Sequence, residues 1–193
     1  MFPDEEKSMQ QMKQEEFRNE PFTDFSKEEN ARAMREALER VESELGREYP
    51  LVIGGERVET GDILESTNPA KKTEVVGRFH KATKELAAGA VEKADEVFKS
   101  WRNTPPAERA ALLFRVASLL RERKHYFSAW MIHEVAKTWP EADGDTAEAI
   151  DFCEFYAREM LRYAGEQPLV HIEGEENRLE YIQIGRASCR ERV

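Results

Sequence analysis

Between Ser26 and Gly46 the apolar residues Met34, Ala37, Leu38, Val41 and Leu45 recur three or four positions apart, as one stripe along a helix. Ser26 and Glu29 have capping-box spacing at its start, and Gly46 stands where a glycine in the left-handed region stops a helix. The period then shortens to that of strands. Leu51-Val52-Ile53 and Glu56-Arg57-Val58 flank Gly54-Gly55, which predicts a hairpin whose two turn positions take φ > 0 at little cost. Residues 63–66 and 75–79, around the turn Asn68-Pro69-Ala70, predict a second strand pair.

Four helical patterns follow. Thr83 caps the first, with Leu86, Ala90, Val91, Ala94, Val97, Phe98 and Trp101 as its expected buried stripe. Thr104-Pro105 opens the second with proline at its first position, and Leu112, Leu113, Val116, Leu119 and Leu120 form its expected face. The third carries Phe127, Trp130, Met131 and Val135 and is expected to stop at Pro140. The fourth spans about 141–163 with Ala149, Phe152, Tyr156 and Met160 inward. A last hairpin is expected from 168–172 and 178–182, turning at Glu173-Gly174-Glu175. Residues 1–20 are polar with few apolar anchors and read as a disordered tail or an over-called start.

Net charge is −10. The last ten residues contribute +2, so the rest carries −12. That balance argues against nucleic acid and anionic membrane as partners, because phosphate binding needs clustered Lys and Arg. No apolar run is long enough to span a bilayer, and MFPDEEKSMQ lacks the basic and apolar regions of a secretory signal. Two distant cysteines fit a reducing cytoplasm better than a disulfide scaffold.

Candidate chemistry is sparse. Gly54-Gly55 lacks the further glycines of a dinucleotide loop and is followed by a strand pattern. His133-Glu134 begins like a zinc helix, but the second ligand position holds Lys137, and His80, His125 and His171 have no ligand spacing. Asp143-Gly144-Asp145 lacks the later glycine and terminal Glu of a calcium loop, and reads as acidic residues near a helix start. Cys153 sits between Phe152 and Phe155 without a neighbouring base and reads as a small core residue. Glu148, mid-helix between Ala147 and Ala149, faces either a pocket or water.

The order of five segments says more. EPFTDFS at 20–26, ELGREYPLVIGGERV at 44–58, STNPAKKTEVVGRFHKATKE at 66–85, FKSWRNTPPAERAALLFRVASLLRERKHYFSAW at 98–130 and EADGDTAEAIDFCEFYAREM at 141–160 together resemble the N-terminal part of the aldehyde dehydrogenase superfamily. They are most similar to the bacterial branch that oxidises L-glutamate γ-semialdehyde to L-glutamate with NAD, the last step of proline breakdown. The resemblance implies an α/β fold in which helices and β-hairpins flank an incomplete Rossmann-like cofactor domain at 21–164. It also implies the start of a strand-built oligomerisation element at 165–183. In this family a Cys thiolate attacks the aldehyde, hydride passes to NAD, and water assisted by a Glu hydrolyses the thioester. The family's Trp-Asn-Phe-Pro cofactor segment, Glu base and Cys nucleophile have no counterpart here, so no catalytic, cofactor-binding or metal-binding residue carries over. Glu148, within TAEAIDF, matches a carboxylate that the resemblance places near the substrate's amino end, where it pairs with an ammonium group. The implied partners are a small aldehyde and, at full length, further copies of the chain; NAD is held by parts beyond this chain.

The final IGRASCRERV, residues 184–193 with Cys189, reads as the in-frame translation of a common short-read sequencing adapter, and Gln183 as a family Pro codon cut after its first base. The expectation is a gene cut short, whose product is inactive and loosely packed alone. Two alternatives stay open: a stand-alone helical interaction module using Phe127, Trp101 and Trp130, and an aldehyde dehydrogenase of other substrate choice.

Overall fold

The computed structural model describes residues 16–183. The 184–193 decamer, with Cys189, lies outside the described residues, as do residues 1–15. Helix α1 (Glu28–Glu42) leads into strands β1 (Arg47–Tyr49), β2 (Leu51–Ile53), β3 (Glu56–Val58), β4 (Ile63–Thr67) and β5 (Val75–His80). Helices α2 (Lys84–Trp101), α3 (Pro106–Glu122), α4 (Lys124–Val135) and α5 (Trp139–Ala164) follow, so the fold mixes helix and sheet as expected.

In α1, Ala31, Met34 and Val41 are buried and Gly46 turns out of the helix at φ +73°. The capping box does not form. Ser26 instead donates its N–H and hydroxyl to Asp24 Oδ1, at 3.0 and 2.6 Å, so the carboxylate two residues earlier organises the entry. The Gly54-Gly55 hairpin forms as expected, with φ of 62° and 87° and the register Leu51↔Val58. Strands β4 and β5 pair antiparallel, also as expected. Strand β1 was not legible in the pattern. Its three polar residues pair parallel to β5, Arg47↔Gly77 to Tyr49↔Phe79, giving a sheet of order β1-β5-β4. Tyr49 and Phe79 stack at 5.3 Å, and a Cβ on Gly77 would meet the Phe79 ring at 2.9 Å, so glycine is what lets the rings close over the strand.

The helices differ from the sequence pattern in which faces they bury. Thr83 caps α2 by accepting from Leu86 N–H at 3.2 Å, yet α2 has no buried residue: Val91, Val97 and Trp101 lie exposed. In α3 the proline at the first position is Pro106, not Pro105. Its buried row is Arg109, Ala110, Phe114 and Ala117, whereas Leu112, Val116 and Leu119 stay exposed. The helix is apolar round most of its circumference, so periodicity alone could not choose a face. The alanine row wins because small side chains let α5 approach closely, closing Ala110, Phe114 and Ala157 into a core with Leu113, Met160 and Leu161.

Helix α4 ends because Ala136 turns left-handed at φ 55°. Pro140 does not stop it but lies in the first turn of α5, where a missing N–H has no cost. Helix α5 buries Ala142, Asp143, Thr146, Ala147, Ile150 and Ala157 and turns Phe152 and Tyr156 outward, opposite to expectation. Ser128 of α4 meets Thr146 hydroxyl to hydroxyl at 2.9 Å, a contact that small residues on both helices permit. Residues 168–182 form the expected turn, with Glu175 N–H donating to the Ile172 carbonyl at 3.1 Å and Gly174 at φ 83°, but no strand ladder. The chain returns so that Tyr181 meets Tyr163 edge to face at 4.7 Å. Among the described residues no helix is long and apolar enough to cross a membrane.

The N-terminal segment, read from sequence as a free tail to residue 20, is docked over 16–20. Asn19 Nδ2 and Glu20 N–H both donate to Asp151 at 2.7 Å, and Phe17 meets Phe155 edge to face at 5.6 Å. Deeper in, Asp143, 1% exposed, accepts from Thr23 N–H at 2.8 Å, Thr23 Oγ1–H at 2.6 Å and Lys124 Nζ at 3.1 Å. Asp143→Ala leaves the largely buried Lys124 ammonium unpaired and is expected to cost about 3 kcal/mol, read as a lower urea midpoint of the helical circular dichroism of the dilute chain. A loss under about 1 kcal/mol would place the helix packing elsewhere than in this carboxylate.

Glu74 ties the β4–β5 turn to α4. It accepts from Lys71 Nζ at 2.8 Å and Asn68 Nδ2 at 2.9 Å, and lies 3.2 Å from His133 Nδ1. The Lys71 hydrogen bond first, then Asn68, holds its pKa down to about 2. A depressed carboxylate contributes stability above its unfolded value of 4.5 and loses it as pH falls towards 2. Glu74→Gln is therefore expected to flatten the fall in thermal midpoint across that window. An unchanged slope would show that other carboxylates govern acid unfolding.

Candidate functional site

Helix α5 supplies the candidate site, and its start is well fixed. Glu141 accepts from Thr138 N–H at 2.9 Å and Thr138 Oγ1–H at 2.8 Å, at the helix start that Asp143-Gly144-Asp145 was expected to lie near. These bonds hold the Glu141 carboxyl below its usual range. One face of α5 is small and buried against α3 and α4; the other carries Glu148 and, one and two turns on, Phe152 and Tyr156. The Phe152 and Tyr156 rings stack at 5.9 Å and 26°, and Phe155 stands edge-on to Tyr156 at 5.4 Å. Phe152 and Tyr156 are 51% and 57% exposed, an unusual cost for two large rings unless something covers them.

Glu148 is exposed on this face. Of the seven acidic side chains on α5 it alone makes no hydrogen bond or ion pair among the described residues. Glu141 binds Thr138, Asp143 binds Thr23 and Lys124, and Asp145 pairs with Lys137. Asp151 takes Asn19 and Glu20, Glu154 takes Arg121 and Arg158, and Glu159 takes Arg162. A carboxylate free on a helix whose other acids are all engaged, with aromatic rings one turn away, is suited to a cation: the carboxylate pairs with it and the rings offer their negative faces. Sequence pattern located Glu148 but placed Phe152 and Tyr156 inside. The signal that could have found them is their i+4 and i+8 spacing from Glu148, which sets all three on one face.

The other candidates have structural roles. Cys153 is half-buried, and burial, with Glu154 second, pushes its thiol up, the opposite of what a nucleophile needs. His133 faces Glu74, and Lys137, which replaces the second ligand of a zinc helix, pairs with Asp145. Among the described residues no three potential ligands gather for a metal. His80, 6% exposed, accepts from Thr60 N–H through Nδ1 at 2.8 Å and meets Glu48 through Nε2 at 2.9 Å, pinning β1 and β5 to the loop before β4. Burial pushes the His125 pKa down, and His171 is exposed. Gly54-Gly55 turns a hairpin and opens no helix, so this glycine pair is not the cradle of a dinucleotide.

Residues 56–186 match the aldehyde dehydrogenase family. A 1-pyrroline-5-carboxylate dehydrogenase of Geobacillus kaustophilus is 57% identical over 169 residues, and one of Geobacillus thermodenitrificans 55%; each match covers 88% of this chain and 33% of the relative. Among solved structures, a Thermus 1-pyrroline-5-carboxylate dehydrogenase with bound NAD is 49% identical with a TM-score of 0.80, over 85% of this chain and 32% of that one. A Mycobacterium tuberculosis Delta-pyrroline-5-carboxylate dehydrogenase bound with NAD is 29% identical with a TM-score of 0.74, over 83% and 30%. The fold described above is thus that of the N-terminal part of these enzymes, and the chain spans about a third of the length of the curated relatives it matches.

Proposed function

The chain belongs to the aldehyde dehydrogenase family, and on that premise we propose that it forms the N-terminal part of an enzyme oxidising L-glutamate γ-semialdehyde, the open form of 1-pyrroline-5-carboxylate, to L-glutamate with NAD. The observation that carries this reading is the identity of 55–57% over 169 residues to relatives named for that substrate. Such density leaves little room for a different substrate class, and it favours the enzyme reading over a stand-alone interaction module.

Within the parent, Glu148 is the substrate-binding residue this chain supplies. Its free carboxylate receives the α-ammonium of the semialdehyde, and Phe152, one turn on, covers the aliphatic body. NAD supplies the hydride acceptor when bound. The family's cofactor segment and nucleophile have no counterpart in this chain, so the reading places the NAD seat and the reacting thiol in the remaining two-thirds of the parent, and no chemical step runs through this chain. The uncovered faces of α2, with Val91 and Val97, and of α3, with Leu112 and Val116, support burial against the rest of the enzyme and against further copies of it. The sparse cysteines support a cytoplasmic setting.

Two measurements test the reading. In the full-length parent cloned from its own locus, Glu148→Gln is expected to lower kcat/KM for glutamate γ-semialdehyde about 10–100-fold through KM, the worth of one hydrogen bond to a charged group, while leaving oxidation of an aldehyde without an ammonium group nearly unchanged. Equal losses with both aldehydes would show that Glu148 does not read the ammonium. The 193-residue chain by itself is expected to form no NADH from either aldehyde and to self-associate as concentration rises in sedimentation. Turnover by the isolated chain would refute the division of labour.

A further inference from the structure

Residues 16–20 run along one flank of the helix face that carries Glu148. Seen down α5, at about 100° per residue, Phe155 falls about 20° to one side of Glu148 and Asp151 about 60° to that same side. Phe152 and Tyr156 fall about 40° and 80° to the other side. The N-terminal segment occupies the first flank. Asp151 accepts from Asn19 Nδ2 and Glu20 N–H, both at 2.7 Å. Glu20 accepts from Arg121 Nε of α3 at 2.7 Å, and Arg121 Nη1 lies 2.9 Å from Glu154, so the segment is fastened to two helices. Fastened there, it sets the Phe17 ring edge to face on Phe155, with centroids 5.6 Å apart and planes at 75°. Phe155 stands edge-on to Tyr156 at 5.4 Å, and Tyr156 stacks on Phe152 at 5.9 Å. Four rings thus form a row across the face, from the N-terminal segment to the residue one turn from Glu148. Phe152, Phe155 and Tyr156 are 51%, 41% and 57% exposed, whereas Phe17 is half-buried. A half-exposed ring keeps its rotamer freedom unless a neighbour removes it. Phe17 is that neighbour for Phe155.

Resting on the dehydrogenase reading, in which Phe152 covers the aliphatic body of the substrate, we propose that Phe17 is a positioning residue for that substrate. It fixes Phe155, and through Tyr156 it fixes the plane of Phe152. Phe17 itself touches no substrate. Its effect is preorganisation: rings already set need no ordering when the semialdehyde arrives, so less affinity is lost to entropy.

The test uses the full-length parent cloned from its own locus and measures kcat and KM with glutamate γ-semialdehyde. Phe17→Ala is expected to raise KM about 3–10-fold, the worth of one aromatic pair, with kcat nearly unchanged. Phe17→Tyr keeps the ring and is expected to restore KM; Phe17→Leu keeps bulk without a ring and is expected to restore part of it. In Phe155→Ala the row is already cut, so adding Phe17→Ala is expected to raise KM no further, whereas a merely structural role would add in both backgrounds. Circular dichroism and sedimentation report whether helices and assembly survive; if Phe17→Ala loses them, Phe17→Leu takes its place in the cycle. Glu148→Gln, run alongside, separates this proposal from the reading beneath it. A KM loss in Glu148→Gln with none in the Phe17 variants overturns the positioning role alone. So does a Phe17 effect that falls on kcat, or one that adds to Phe155→Ala. Absence of semialdehyde turnover by the unsubstituted parent overturns the reading, and the proposal with it.

Discussion

A buried carboxylate is stable only if every lone pair it brings inside is met, and Asp143 is where this chain meets that demand. Its oxygens take the Thr23 backbone and hydroxyl and the Lys124 ammonium. Three pieces of chain far apart in sequence are thereby tied at one point: the segment before α1, the start of α4 and the first turns of α5. Weaker contacts follow in its wake. With Thr23 held, Asn19 and Glu20 reach Asp151, Phe17 reaches Phe155, and Arg121 bridges Glu20 to Glu154. Exposed pairs of this sort contribute little singly; here they line a segment already pinned.

The same constraint sets the orientation of α5. Once Asp143, Thr146, Ala147 and Ile150 face inward, helical geometry leaves Glu148, Phe152 and Tyr156 outward. Helix α5 thus spends its small residues on internal packing and presents Phe152, Tyr156 and Glu148, its one acid unpaired among the described residues, on the surface. This is the reverse of an ordinary small domain, in which the rings form the core. It accords with a chain that covers a third of its relatives' length: faces of α2, α3 and α5 read as inward by pattern lie exposed.

Charge is handled in two ways across the fold. Glu74 and Asp143 are satisfied by neighbouring elements and act as clasps between them, and Glu141 caps its own helix. Glu148 on the surface, like Glu92 and Glu134, makes no ion pair among the described residues and is met by water, whereas Arg109 inside leaves its Nε–H unpaired among them. Buried polar groups in folded proteins find partners, so one that does not is where a ligand or further chain is to be sought.

By itself, the sequence determined what local physics decides. The Gly54-Gly55 turn, the β4–β5 pair and the positions of all five helices within a few residues were legible, because glycine conformation and apolar spacing act over short range. So was the family, through the five segments that carry the resemblance. Strand β1 was not legible, since three polar residues become a strand only when β5 lies beside them. Nor were the buried faces of α3 and α5. Both helices carry apolar residues on more than one side, and whether Ala110 or Leu112, Ala147 or Phe152 goes inside depends on how closely two helices approach, which side-chain volume across the contact decides. The docking of residues 16–20 likewise rests on Asp151, more than a hundred positions away. Tertiary structure alone made those choices, because each is a contest between surfaces that meet only after the chain has folded.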